Sequence, residues 1–253
     1  MPATPAWPPS SLPRLFVEEL LHEGAVLTLG DASANYLGNV LRLQPGAQVK
    51  LFDNRSGEWL AQITQVAKKR ITLVATRHLR EREPVPDIWL VFAPIKKGRI
   101  DWLIEKATEL GAARLVPAIT QRTIVDKLNL DRLRAHTIEA AEQCERTALP
   151  ELAEPVKLAA LLRDWPAERT LFFADENGGE PFAAAAAQTP GPAAILIGPE
   201  GGFTPDEAAA IRAHPQARAV SLGPRILRAE TAAVASLAVW MAAAGDWRQT
   251  VAR

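Results

Sequence analysis

The sequence predicts an α/β protein: a small N-terminal β-barrel, then a larger domain on a mostly parallel sheet. Three observations carry this. Residues 14–80 hold short strand-like runs interrupted by one helix. From Ile88 onward, apolar runs alternate with helical patterns, which is the rhythm of a parallel sheet with crossover helices. Between the two, "EREPVPD" (81–87) concentrates two prolines and several charges. With 253 residues, 48% hydrophobic and 23% charged, the chain is long enough for a substantial core in each part.

The elements follow in order. The proline-rich "MPATPAWPPSSLP" (1–13) lacks a charged segment before an apolar one, so it reads as a flexible lead-in rather than a secretory signal. The barrel spans 14–80 with strands "RLFV", "AVLTL", "QVKLFD", "WLAQITQVA" and "RITLVATRHL". "QPGA" and "NRSGE" are turn signals, and "KKR" (68–70) reads as a hairpin turn. The helix "DASANYLGNVLRL" takes Asp31 as its N-cap. Residues 81–87 are the expected linker, and 88–253 the second domain.

There, "IWLVFAP" is a continuous apolar run, as in strands buried on both faces. Ile100, Leu103, Ile104, Ala107 and Leu110 fall at helical spacing, with Gly111 at the C′ position. Strands "RLVPAI", "TLFFAD", "AAILIG" and "AVSLG" follow, with helices over 130–147, 181–188, 205–213 and 229–244. The last helix is apolar nearly all round. Such a helix is buried on most sides, and this one is too short and alanine-rich to span a membrane.

Several function classes drop out early. Twenty-nine basic and 29 acidic residues cancel, so any nucleic-acid contact must come from local patches. One cysteine, Cys144, excludes an internal disulfide and fits a reducing cytoplasm. It reads as a small buried helix residue. His22, His78, His136 and His214 have no partners at ligand spacing, so no metal site is expected. Trp89 on a strand and Trp102 on a helix read as core.

Two loops carry chemistry. "IGPEGGFTPDE" ends a strand in Gly198-Pro199-Glu200-Gly201-Gly202 and opens a helix: Thr204 as N-cap, Pro205 at N1, Glu207 closing a capping box. Glycines at a parallel strand's C-terminal end let backbone approach a ligand. Neither a G-K-[ST] nor a G-x-G-x-x-G pattern is present. Glu200 would repel phosphate, so a neutral or cationic ligand with an adenosine part fits better than a triphosphate. A plain tight turn is the competing explanation. "SLGPRILRAETA" repeats the plan. Gly223-Pro224 turns the chain, Ile226 and Leu227 add apolar surface, and Arg225 and Arg228 add two cations. Two such loops form two walls of one pocket; surface arginines on a solvated loop are the plainer alternative.

Together these segments resemble the RsmE-like family of small-subunit ribosomal RNA uridine N3-methyltransferases, in the SPOUT superfamily. "KGRIDWLIEKATELG" (97–111), "AAEQCER" (140–146) and the N-terminal "YLGNVLRLQPGAQVKLFD" (36–53), similar to a PUA-like RNA-binding domain, extend the likeness over nearly the whole chain. The resemblance implies a SPOUT-type α/β domain with a trefoil knot, a PUA-like barrel, S-adenosylmethionine (SAM) as methyl donor, a homodimer, and 16S rRNA within the small ribosomal subunit as partner, in the cytoplasm. It implies no membrane and no metal. Another methylated position, such as ribose 2′-O, or a non-catalytic RNA-binding or assembly factor, are the alternatives.

Residue by residue, the resemblance implies cofactor contacts at Ile197, Gly198, Pro199, Glu200, Gly201, Gly202, Leu222, Gly223, Ile226 and Leu227. Arg228 first and Arg225 second are expected to stabilise a uracil imide anion. Glu200 or Glu230 is expected to take the proton, although Glu230 equally suits a helix N-terminal carboxylate. Expected RNA anchors are Arg14, Arg42, Lys96, Lys97, Arg99, Arg122 and Arg146. The chain departs from the family pattern at Glu145, Thr147, Ala148 and Asp126, which lowers positive charge on the presumed RNA face.

Overall fold

The computed structural model describes residues 12–125, 127–189 and 191–249. Most of the expected lead-in and Asp126 lie outside them. The chain divides into two compact units: residues 1–84 with 141–148, and residues 85–140 with 149–253.

In the first unit, β1 (Arg14–Phe16), β2 (Val26–Leu29), β3 (Gln48–Phe52), β4 (Glu58–Val66) and β5 (Ile71–Arg80) form one sheet in the order β1-β3-β4-β5-β2. β1 runs parallel to β3, and the other pairs are antiparallel. Alternate residues Val49, Leu51, Ala61, Ile63, Ile71 and Leu73 fill the core with Leu15 and Leu37. The predicted helix after Gly30 is shorter and different. A single α-turn (α1, Asp31–Ala34) widens into a π-helical segment, Asn35–Val40. Asp31 is the first helical residue and Gly30 the N-cap, so the capping role expected of Asp31 is not taken up.

A buried charge cluster organises this unit. Glu58 pairs with Arg14 at 2.5 Å, Arg80 at 3.0 Å and Lys50 at 4.0 Å. Arg14 also donates to the carbonyls of Ala141 (2.7 Å), Glu142 (3.1 Å) and Arg146 (2.9 Å). Those carbonyls lie at and beyond the end of α3 (Leu130–Cys144), where helix carbonyls lack internal partners. Arg14 is therefore 8% exposed and Arg146 6%. Both are interior residues, which corrects their expected place on an RNA-facing surface. Cys144 is exposed, against the expectation of burial, because it lies in the helix's last turn.

The second unit holds β6 (Ile88–Phe92), β7 (Arg114–Ile119), β8 (Glu151–Leu152), β9 (Val156–Lys157), β10 (Thr170–Ala174), β11 (Glu180–Pro181), β12 (Ala193–Ile197) and β13 (Ala217–Ser221). All its pairings are parallel, in the order β11-β13-β10-β12-β6-β7-β8, with β9 beside β7. Its strands are buried on both faces: Leu90, Phe92 and Ile195 belong to one core, Val91, Leu171 and Leu196 to the other.

The helices are α2 (Arg99–Glu109), α4 (Leu158–Arg163), α5 (Phe182–Gln188), α6 (Pro205–Ala213) and α7 (Ala229–Ala243). Gly111 (φ 90°) follows α2 where a left-handed residue stops a helix. α7 buries Ala233, Leu237, Trp240 and Met241 and packs on α2 and α5. Trp102, expected in the core, is 41% exposed; the buried face of α2 is made by Ile100, Leu103, Ile104 and Ala107. Among the described residues no helix is long and apolar enough to cross a membrane.

Burial alone would push the Glu58 carboxyl up, but the hydrogen bonds and charges of Arg14 and Arg80 hold it below its ordinary value of 4.5. A lowered folded-state value means the stabilisation is present above pH 4.5 and lost as the pH falls through the folded value. Glu58→Gln, which leaves buried arginines uncompensated, is expected to cost about 3 kcal/mol near neutrality. The difference from wild type should narrow on acidification, as read by hydrogen exchange of β4 and β5 amides.

Candidate active site

β12, β10 and β13 are adjacent and parallel, so their C-terminal ends point the same way. A cleft of about 1270 Å³ opens there, the position where open α/β sheets place ligands. Each strand supplies one wall.

The first wall is the loop after β12. Gly202 N–H donates to the Pro199 carbonyl at 2.9 Å, closing the turn. The capping box is present: Glu207 N–H donates to Thr204 Oγ1 (3.3 Å) and Thr204 N–H to Glu207 Oε2 (3.0 Å). Arg122 reaches over to donate to the carbonyls of Gly201 (2.7 Å) and Phe203 (3.3 Å). The second wall is the loop after β13. Gly223 turns it with φ 108°, a region closed to most side chains. Arg228 is the N-cap of α7.

Sequence reasoning missed the third wall, the loop after β10. Phe173, Asp175, Glu176, Asn177 and Gly178 all line the cleft. Asp175 is buried. It accepts from Asn177 N–H (2.9 Å) and from Arg212 Nε (2.7 Å) on α6, which ties this loop to the helix behind the first wall. A Cβ on Gly179 would lie 2.5 Å from the Ala219 carbonyl carbon, so the loop runs hard against β13. The signal was in the sequence: "FFADENGG" is a buried strand ending in turn-forming residues.

The expected cofactor residues Ile197, Gly198, Pro199, Glu200, Gly202, Leu222, Gly223, Ile226 and Leu227 all line the cleft, as do Arg225 and Arg228. Gly201 lines a smaller neighbouring pocket instead. Ile226 is 89% exposed. Arg99, expected to anchor RNA, is the first residue of α2 and bridges the two candidate bases. It pairs with Glu200 and lies 3.7 Å from Glu230. Glu200 lines the cleft and Glu230 does not; Glu230 sits in the first turn of α7. Lys96, Lys97, Arg42 and Arg122 are exposed.

A family described as an RNA methyltransferase domain matches residues 81–241, and one described as an RNA methyltransferase PUA domain matches 29–76. The chain is 30% identical over 229 residues to a ribosomal RNA small subunit methyltransferase E of Rickettsia conorii, covering 89% of this chain and 93% of that one. It is 34% identical to the protein of the same name from Synechocystis, covering 85% and 72%. Among solved structures it is similar to the methyltransferase E of Neisseria gonorrhoeae bound to S-adenosyl methionine (TM-score 0.82, 29% identity, 91% and 97% covered). A putative methyltransferase of Legionella pneumophila in complex with SAM is similar to the same degree (TM-score 0.82, 32% identity, 93% and 99% covered).

The close approach at Gly179 gives a direct test of the third wall. Gly179→Ala must displace backbone, and is expected to cost about 2 kcal/mol, measured by thermal denaturation.

Proposed function

The chain belongs to the ribosomal RNA small subunit methyltransferase E family, and from that premise we propose that it methylates N3 of a specific uridine in 16S rRNA, using SAM. The observation that carries this reading is the cleft at three parallel strand ends, walled by glycine turns and rimmed by Arg225 and Arg228.

The residues suit SAM. Ile197, Leu222 and Leu227 offer apolar surface for adenine beside backbone edges for its hydrogen bonds. A Cβ on Gly223 would project into open space, leaving room beside the turn. Glu176 and Glu200 on the walls favour a cation over a polyphosphate. When bound, SAM supplies an activated methyl group. The chain's own task is then to hold both substrates in line and to manage one proton. Arg228, the N-cap residue of α7, would hold the oxygens of a uracil anion, with Arg225 second. Lys96, Lys97 and Arg42 remain exposed cations suited to phosphate.

The proposal extends to a homodimer, since Ile226 is an apolar side chain left 89% exposed at the cleft rim, to an assembled small subunit as the cytoplasmic substrate, and to a trefoil knot. The last is supported by β10 lying between the later strands β12 and β13.

Nucleoside analysis of small-subunit RNA from a deletion strain tests the reaction: 3-methyluridine is expected to disappear, and its persistence would refute the reading. Arg228→Ala should lower methyl transfer about 100-fold while calorimetry shows SAM binding retained. Transfer at the wild-type rate would remove Arg228 from the role.

A further inference from the structure

Beside the cleft lies a second pocket of about 490 Å³. Pro94 and Ile95, which follow β6, are buried and form a fixed floor. Ile124 is 61% exposed and forms an open side. Arg122, Pro199 and Glu200 line both this pocket and the main cleft. Glu200 therefore stands on the wall that the two share.

Transfer between two bound molecules needs two adjacent sites whose reacting atoms meet at about 3–3.5 Å. A larger cleft walled by three loops, joined at a carboxylate to a smaller apolar pocket, has that form. A pyrimidine presents apolar faces and a polar edge. The faces suit Pro94, Ile95 and Ile124. The edge N–H suits a carboxylate, which only accepts. A phosphate is less suited, because the Glu200 carboxylate on the shared wall repels an anion and Arg122 Nη1 is already donated to the carbonyls of Gly201 and Phe203.

We propose that this pocket receives the faces of the splayed-out uracil of the RNA substrate, that its polar edge turns across the shared wall into the cleft that Arg228 lines, and that Glu200 accepts its N3 proton. The inference rests on the methyltransferase reading above. The N3–H bond breaks and its proton passes to Glu200. The electron pair left on N3 forms the bond to the methyl carbon, and the carbon–sulfur pair stays on sulfur. Arg99 contacts Glu230 as well as Glu200, so protonation of Glu200 does not leave a cation without a counter-ion. Glu230 lines neither pocket, which leaves Glu200 as the group that meets the base.

Ile124→Trp fills the pocket from its exposed side and spares the core. It is expected to keep SAM affinity by calorimetry and wild-type oligomeric state, yet lower methyl transfer into small subunits about 100-fold. Small subunits carrying 4-thiouracil should crosslink to peptides containing Ile95 or Ile124. Glu200→Gln, assayed at saturating SAM, is expected to lower transfer about 100-fold. Wild-type transfer by Ile124→Trp, loss of SAM binding in step with activity, or an altered oligomeric state would overturn the placement of the base. Wild-type transfer by Glu200→Gln would overturn the proton assignment. A wild-type protein that binds SAM but leaves N3 unmethylated would instead overturn the reading of the reaction.

Discussion

The site depends on β10 lying between β12 and β13. Neighbouring strands sit about 4.8 Å apart, so the loops after β12 and β13 leave their strands roughly two spacings, about 10 Å, apart. That gap is what makes a cleft rather than a tight turn. Backbone bonding holds it: Phe172 registers with Ile195 on one side and Arg218 on the other. The loop after β10 then forms the third wall, and Asp175 and Gly179 fix it to α6 and β13. Each wall is short and strand-anchored, so little conformational freedom remains to be lost when a ligand enters.

Charges at the cleft divide into two kinds. Arg99, Arg122 and Arg212 are committed, to Glu200 and Glu230, to backbone carbonyls, and to Asp175. These arginines shape the walls. Arg225 and Arg228 are exposed on the cleft's rim. They share one loop with Ile226, so the surface that would meet an incoming base or a second subunit carries both cation and apolar group.

Much of this was legible because local rules operated. The capping box at Thr204, the C′ glycine at Gly111 and the apolar runs of β6 and β12 each follow from neighbours in sequence. What escaped required spatial order. No periodicity says that β10 lies between β12 and β13, so "TLFFAD" reads as an ordinary strand although the loop after it forms a third of the site. The π-helical segment after Ala34 was also hidden, because an apolar pattern at helical spacing does not distinguish an α from a π turn over six residues.

The arginines show the same limit most clearly. Arg14, Arg99, Arg122 and Arg146 all read as anchors for RNA, since an unpaired cation in a nucleic-acid protein suggests phosphate. Each is instead engaged inside its own unit. Arg14 shows why. Glu58 offers a buried anion, and the carbonyls near the end of α3 offer acceptors without helical partners. A planar guanidinium with five donors satisfies both at once, and no other side chain does. The pairing joins two parts of the chain more than 120 residues apart, since Arg14 and Ala141 are separated by 127 positions. Residues 141–148 therefore fold with the N-terminal sheet, so the chain enters this unit twice. The cations proposed to meet RNA are correspondingly few: the exposed Lys96 and Lys97 before α2, Arg42, and Arg225 and Arg228 on their loop. Recognition must then rest on a few placed cations and on shape rather than on a cationic face.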